Sequence, residues 1–256
     1  MGGEFSGKVA VVTGGAKGIG AATAEAFLAS GASVGVLDVD KTPPAFLSDG
    51  KSTVYVRTDV SRGSEVTAAF RTIIDRFGGI DYLVNNAGIQ RYNPVVLTPE
   101  DEWDTVMGVN LKSAYLCAKE AIPSMQRRGK GVVINLASVQ SFVSQRNVAA
   151  YTTSKTALLG LTRSIAVDYA QAIRCIAVCP GTVDTPMLRD AINLSPDPGQ
   201  VLQECIDMHP MERIATPPEI ADLILYLCSD RAGFITGHYI RIDGGLGLVI
   251  GGSKQS

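Results

Sequence analysis

The chain has 256 residues, 46% of them hydrophobic, enough to bury the core of one α/β domain and too many for global disorder. Its 23 basic and 25 acidic side chains leave a formal charge of −2, which offers no field to gather nucleic acid or an anionic membrane. No apolar run reaches the roughly 18 residues that suggest a membrane span, and Met1–Phe5 has no basic stretch leading into an apolar one. Gly2 would suit N-myristoylation, although an ordinary or cloned start is the simpler reading. The cysteines Cys117, Cys175, Cys179, Cys205 and Cys228 are odd in number and form no Cys-x-x-Cys pair. Only two His could assist them, so no disulfide framework and no metal site is expected, as in a reduced, cytoplasmic protein.

In chain order, Lys8–Thr13 reads as a first strand running into a Gly-rich turn and an Ala-rich helix through Ser30. Ser33–Asp38 and Thr53–Arg57 are the next strands. Glu65–Phe77 is helical, with Val66, Ala69, Phe70, Ile73, Ile74 and Phe77 at spacings of three and four. Asp81–Asn85 follows as a strand, then a long helical region over Glu100–Arg128. Its Trp103, Val106, Val109, Leu116 and Ala121 are expected to bury against the sheet or a neighbouring subunit. Gly131–Leu136, helix Ala149–Ala170, strand Ile173–Cys179, helix Pro217–Ser229 and strand His238–Ile242 complete the pattern.

The strands carry continuous apolar runs, such as Val9–Val12 and Val132–Ile134, as strands covered on both faces do. With the β-α alternation this predicts a Rossmann-type, doubly wound parallel sheet of about seven strands, with helices on both faces. The whole chain, 1–256, reads as one dinucleotide-binding domain. Within it, roughly 182–218 has many turn formers yet keeps Met187, Leu188, Ile192, Val201, Leu202 and Ile206 in helical spacing. That stretch reads as a small helical substrate lid. Cys175 and Cys179, four apart on a strand, read as small core residues.

The first strand ends in Thr13-Gly14-Gly15-Ala16-Lys17-Gly18-Ile19-Gly20. Glycines there allow a tight turn and close approach of backbone to a pyrophosphate, with the N–H groups of the next helix facing the anion. About 20 residues on, Asp38 stands where an adenosine ribose presents two hydroxyls. It favours NAD, whereas Lys17 could attract the 2′-phosphate of NADP. Asp38 would lie closest to the ribose, so NAD is expected over NADP. Asp59 and Val60 could hold the adenine edge, and Asn86 and Gly88 of Asn85-Asn86-Ala87-Gly88 suit a wall beside the cofactor. Ser138 follows a strand, and Tyr151 and Lys155, four apart, share one helical face.

Thr-Gly-x-x-x-Gly-x-Gly from Thr13, Asn-Asn-Ala-Gly from Asn85, Asn110, Ser138, Tyr-x-x-x-Lys from Tyr151 and Pro-Gly from Pro180 stand in an order that resembles the short-chain dehydrogenases/reductases over essentially the whole chain. The resemblance implies that Tyr151 is the acid/base, Lys155 its charge partner and ribose anchor, Ser138 a donor to the substrate oxygen, and Asn110 the holder of a relay water. It also places Ile19, Val183 and Thr185 at the cofactor, and it implies a homotetramer. A phenol with a reference pKa of about 10 is a poor base at neutral pH, so a neighbouring ammonium and the cationic nicotinamide are expected to lower it.

Around the expected substrate position stand Gln90, Arg91, Gln140, Gln145, Arg146, Met187 and His209. Amides and guanidinium groups suit a polyhydroxylated molecule, and an Arg can grip a carboxylate at two points. Arg91, Gln140 and Arg146, with Ser138 and Tyr151, are the candidate substrate contacts. His209 reads as a packing or hydrogen-bonding residue of the lid. Segments such as Ala137–Gln140, Arg174–Pro180 and His209–Ile214 look like the sugar and sugar-acid dehydrogenase branch. The rivals are a 3-oxoacyl-carrier-protein or general carbonyl reductase and, from another class, a non-catalytic NAD sensor. Leu246–Ser256 could be an intersubunit arm or a frayed end.

Overall fold

The computed structural model describes residues 3–47 and 50–248. Gly2 and all of the expected arm beyond Leu248 lie outside the described residues. The strands are β1 Val9–Thr13, β2 Ser33–Asp38, β3 Thr53–Arg57, β4 Tyr82–Asn85, β5 Gly131–Leu136, β6 Ile173–Pro180 and β7 Tyr239–Ile242. They form one sheet in the order β3-β2-β1-β4-β5-β6-β7, and every pairing is parallel. The helices are α1 Gly18–Ala29, α2 Gly63–Phe77, α3 Glu100–Met107, α4 Ser113–Arg127, α5 Ala149–Tyr169, α6 Pro186–Ile192, α7 Pro198–Asp207 and α8 Pro217–Cys228. The doubly wound parallel sheet read from the sequence is therefore the observed fold.

Successive strand residues point to opposite faces, so each apolar run feeds two cores. Ala10, Val12, Val34, Val36, Val132 and Ile134 face α1 and α8. Val9, Val11, Leu37, Leu83 and Val133 face α2, α4 and α5. Local chemistry sets the helix ends. α2 stops at Gly78, whose φ of 78° is left-handed. α8 starts at Pro217, with the Thr216 N–H donating to Glu219 Oε2 at 2.8 Å.

The long helical region expected over Glu100–Arg128 runs unbroken to Arg127, with one local departure. α3 and α4 are joined by a π-helical turn, Gly108–Lys112, where Asn110 is drawn inward to bond with Ile89 and Ser154. Within this region Val106 and Ala121 are fully buried, while Trp103, Val109 and Leu116 are only half-buried. The lid stretch contains α6 and α7 as expected. Its apolar residues are only partly covered, however: Ile192 and Cys205 are buried, whereas Met187 and Leu202 are exposed. All five cysteines are free and buried. No described helix is long and apolar enough to cross a membrane.

Phe27 is fully buried between Phe5 and Tyr82, with ring centroids 5.2 and 5.6 Å away. Phe27→Ala should destabilise the fold by about 3–5 kcal/mol, read as a lowered urea midpoint at unchanged slope.

Candidate active site

Parallel strands deliver their carboxyl ends to one edge, and the segments of interest gather there. The Thr13 hydroxyl accepts the N–H groups of Asn86 and Ala87, both at 3.1 Å. The Asn86 amide donates back to the Thr13 and Gly14 carbonyls at 2.9 and 2.8 Å. This double clamp welds the end of β4 to the Gly turn. Gly14 has a φ of 60°, and a Cβ there would lie 2.8 Å from the Ala87 Cα. A Cβ on Gly20 would collide with the Gly14 carbonyl, so α1 can start this close to β1 only with glycine.

α1 has no side-chain cap and no acidic residue in its first turn. Its leading N–H groups thus face the crevice without a competing carboxylate, as an incoming phosphate requires. At the end of β2, Asp38 Oδ2 accepts the Ala16 N–H at 2.9 Å and Oδ1 the Asp40 N–H at 3.2 Å. The carboxylate is held at the rim with lone pairs to spare for a diol. Lys17, read as an attractor for a 2′-phosphate, is instead paired with Asp40 at 2.8 Å. Asp59 is likewise occupied: its carboxylate accepts the Ser61 N–H and hydroxyl and the Arg62 guanidinium. Val60 is buried beside it.

α5 carries Tyr151 and Lys155 under the strand ends. Lys155 Nζ donates to the Leu136 carbonyl at 2.6 Å. A Cβ on Gly88 would come within 3.4 Å of that ammonium and 3.5 Å of Asn110 Oδ1, so these three positions converge on one point. A buried ammonium with one protein acceptor has N–H groups left for ribose hydroxyls. The uncapped α1, the Asp38 rim and this ammonium together fit a dinucleotide.

Burial pushes Tyr151 up to about 12; its hydrogen bond with Ser138 pulls the other way, and Tyr92 adds to the rise. Lys155 lies over the ring, 5.7 Å from its centroid, and burial lowers its own pKa to about 8. The buried Lys155 pays the larger share of desolvation, since Tyr151 keeps part of its surface open to the crevice. The Asn110 side chain is fixed from both ends: its amide donates to the Ile89 carbonyl at 2.9 Å and Ser154 Oγ at 3.0 Å, and its Oδ1 accepts the Ile89 N–H at 2.8 Å.

The remaining candidates spread along the rim. Ser138 Oγ accepts the Gln140 N–H at 3.1 Å. The Gln140 amide is held by Gln145 at 3.1 Å and Thr152 at 3.4 Å. Arg91 and Arg146 are exposed, Arg91 donating to the Gln90 carbonyl. Val183 is buried, and Thr185 caps α6 through Leu188 N while its methyl faces Gly18. His209 is buried: Nε2 accepts the Thr182 N–H at 3.1 Å, so Nδ1 carries the proton and donates to the Cys205 carbonyl at 2.7 Å. It ties α7 to the loop after β6. Sequence reasoning missed the Leu136 carbonyl, which holds the Lys155 ammonium at 2.6 Å; a backbone acceptor from another strand leaves no mark in the spacing of Tyr151 and Lys155.

The family model described as enoyl-(acyl carrier protein) reductase matches residues 14–247. A dehydrogenase/reductase SDR family member 6 of Aquarana catesbeiana is 40% identical over 96% of this chain and 100% of its own. The chain belongs to the short-chain dehydrogenase/reductase family. A 2-(R)-hydroxypropyl-CoM dehydrogenase of Xanthobacter autotrophicus is 38% identical over 93% of this chain and 97% of its own. The ligand-free aldohexose dehydrogenase of Thermoplasma acidophilum superposes with a TM-score of 0.93 at 38% identity, covering 100% of both chains. This short-chain dehydrogenase/reductase is an oxidoreductase acting on CH–OH groups, in a family that typically uses a nicotinamide cofactor.

Lys155→Met should raise the unfolding midpoint at pH 7 by several degrees. Below pH 8 the folded protein carries the full penalty of a buried ammonium. Between pH 8 and the ordinary 10.5, the folded state sheds the proton first, so wild-type stability rises with pH and the variant's advantage shrinks. Thermal melts at about pH 7 and 9.5 check both the sign and the trend.

Proposed function

We propose that the protein is an NAD-dependent dehydrogenase of a sugar or sugar acid, oxidising a secondary alcohol or hemiacetal carbon. The observation that carries the chemistry is the Tyr151 ring with the Lys155 ammonium 5.7 Å from its centroid, beside the Gly88 wall. Asp38 supports NAD, since a second anion on the ribose would meet its carboxylate. The likeness to an aldohexose dehydrogenase and the polar rim of Gln140, Gln145, Arg91 and Arg146 support the substrate class. An exposed Arg near the mouth favours a carboxylate at the far end of the substrate.

When bound, the nicotinamide supplies the hydride acceptor. Gly14, Gly18, Ile19 and Gly20 would hold the pyrophosphate at the α1 N-terminus, and Asp38 would take the adenosine ribose hydroxyls. Asp59 and Val60 would meet the adenine edge; Asn86, Gly88, Val183 and Thr185 would line the path to the ring. Lys155 would hold the second ribose and keeps its positive charge over the Tyr151 ring. Ser138 donates to the substrate oxygen and keeps it within reach of Tyr151. Tyr151, as phenolate, takes the hydroxyl proton as the carbinol carbon gives up its hydride. Its resting pKa of about 12 means that oxidation needs charge brought to the site on loading, and the rate of oxidation should rise with pH. The stretch 182–218 would close over the substrate as a lid, in a chain that works as a homotetramer in the cytoplasm.

Tyr151→Phe should lower kcat by about 10²–10⁴-fold while NADH binding, followed by nicotinamide fluorescence, persists. Turnover would be assayed against aldoses, sugar acids and acetoacetyl thioesters with each dinucleotide. Oxidation of a carbohydrate with NAD is the expected outcome; reduction of thioesters alone would point to a carbonyl or carrier-protein reductase. If the substrate is a sugar acid, Arg91→Ala or Arg146→Ala should raise KM several-fold at little change in kcat.

A further inference from the structure

Beside Asp38 a cavity of about 350 Å³ opens between Ala16, Lys17, Asp40, Lys41, Thr42 and Pro44. On its wall the Lys17 ammonium is 2.8 Å from Asp40 Oδ2. Asp40 is fixed at three points. Its N–H donates to Asp38 Oδ1 at 3.2 Å, its carbonyl accepts the Tyr55 hydroxyl at 2.6 Å, and its carboxylate takes Lys17. Asp38 in turn accepts the Ala16 N–H, so the Gly turn and the end of β2 form one linked unit around the cavity. The ammonium holds its proton more firmly than usual, through its hydrogen bond with Asp40 first and the charge of Asp40 next.

We infer that Asp40 discriminates between the two nicotinamide dinucleotides: by holding Lys17 it withholds the cation that would otherwise receive a phosphomonoester on the adenosine ribose. The inference rests on the dinucleotide reading given under Proposed function, and it names a residue and a route which that reading does not need. A phosphomonoester carries close to two negative charges at neutral pH and needs a cation within hydrogen-bond reach. Asp40 lines the cavity and cancels Lys17, and Asp38 stands beside it; Lys41, also on the wall, is the same in every variant and sets a constant background. Asp38 can act alone on the hydroxyls; Asp40 acts only through Lys17. Lys17 and Asp40 both face water, with side-chain exposures of 65% and 37%, so the effect is several-fold rather than of many orders and weakens with salt.

The test is a fluorescence titration of NADH and NADPH, a binding measurement independent of turnover. The proteins are the unmodified chain, Asp40→Asn, Asp40→Ser, Lys17→Met and the Lys17→Met/Asp40→Asn pair. At low salt either Asp40 variant should shift the NADPH-to-NADH affinity ratio towards NADPH by about 5–10-fold. The shift should fall below about 2-fold in the Lys17→Met background, and it should shrink at about 0.5 M salt. An unchanged ratio in both Asp40 variants would overturn the inference. So would an equal shift without Lys17, which would mean simple removal of a negative charge. If the unmodified chain binds neither dinucleotide, the dinucleotide reading itself falls and this inference with it.

Discussion

Every strand runs the same way, so every strand hands its carboxyl end to one edge of the sheet. That constraint comes from backbone hydrogen bonding and right-handed crossovers, and the site depends on it. Five separate segments, Thr13–Gly20, Asp38–Asp40, Asn85–Gly88, Leu136–Ser138 and Cys179–Thr182, meet there although they are far apart along the chain. Asn86 and Thr13 then lock two of the ends together with four hydrogen bonds. Shear between β1 and β4 would disturb the Gly turn and the Gly88 wall together.

The same burial that stabilises the fold sets the chemistry of the site. Lys155 sits among Leu136, Gly88 and Cys179, and Tyr151 among Ser138 and Tyr92, so neither group rests at its solution pKa. A phenol held neutral and an ammonium held loosely respond strongly to added charge nearby, because little water screens it. The polar interior beneath has its own supports. Asn85 donates to Asn135 Oδ1 at 2.8 Å, and Asn135 donates to Thr162 at 2.9 Å, joining β4, β5 and α5. Asn110 adds a further tie by reaching out of its π turn to Ile89 and Ser154. These buried links fix the distance between α5 and the strand ends.

The stretch 182–218 follows a different rule. α6 and α7 are short, and Met187 and Leu202 remain exposed, so apolar contact does little to hold them. Their registration comes from caps and from His209, which joins the Cys205 carbonyl to the Thr182 N–H. A few directional bonds define such an element without burying it deeply.

The sequence by itself determined the alternation of strands and helices, the two-faced burial of the apolar runs and the order of the Gly turn, Asn85–Gly88, Ser138, Tyr151 and Lys155. Periodicity and glycine requirements are local properties, legible residue by residue. Only the tertiary structure decided that Lys17 answers to Asp40, that Asp59 is occupied by Ser61 and Arg62, and that Asn110 lies in a π turn. It also decided that burial pushes the Tyr151 phenol up. Partner choice, desolvation and pKa depend on which groups arrive from elsewhere in the chain. The spacing of residues along the chain carries no record of that.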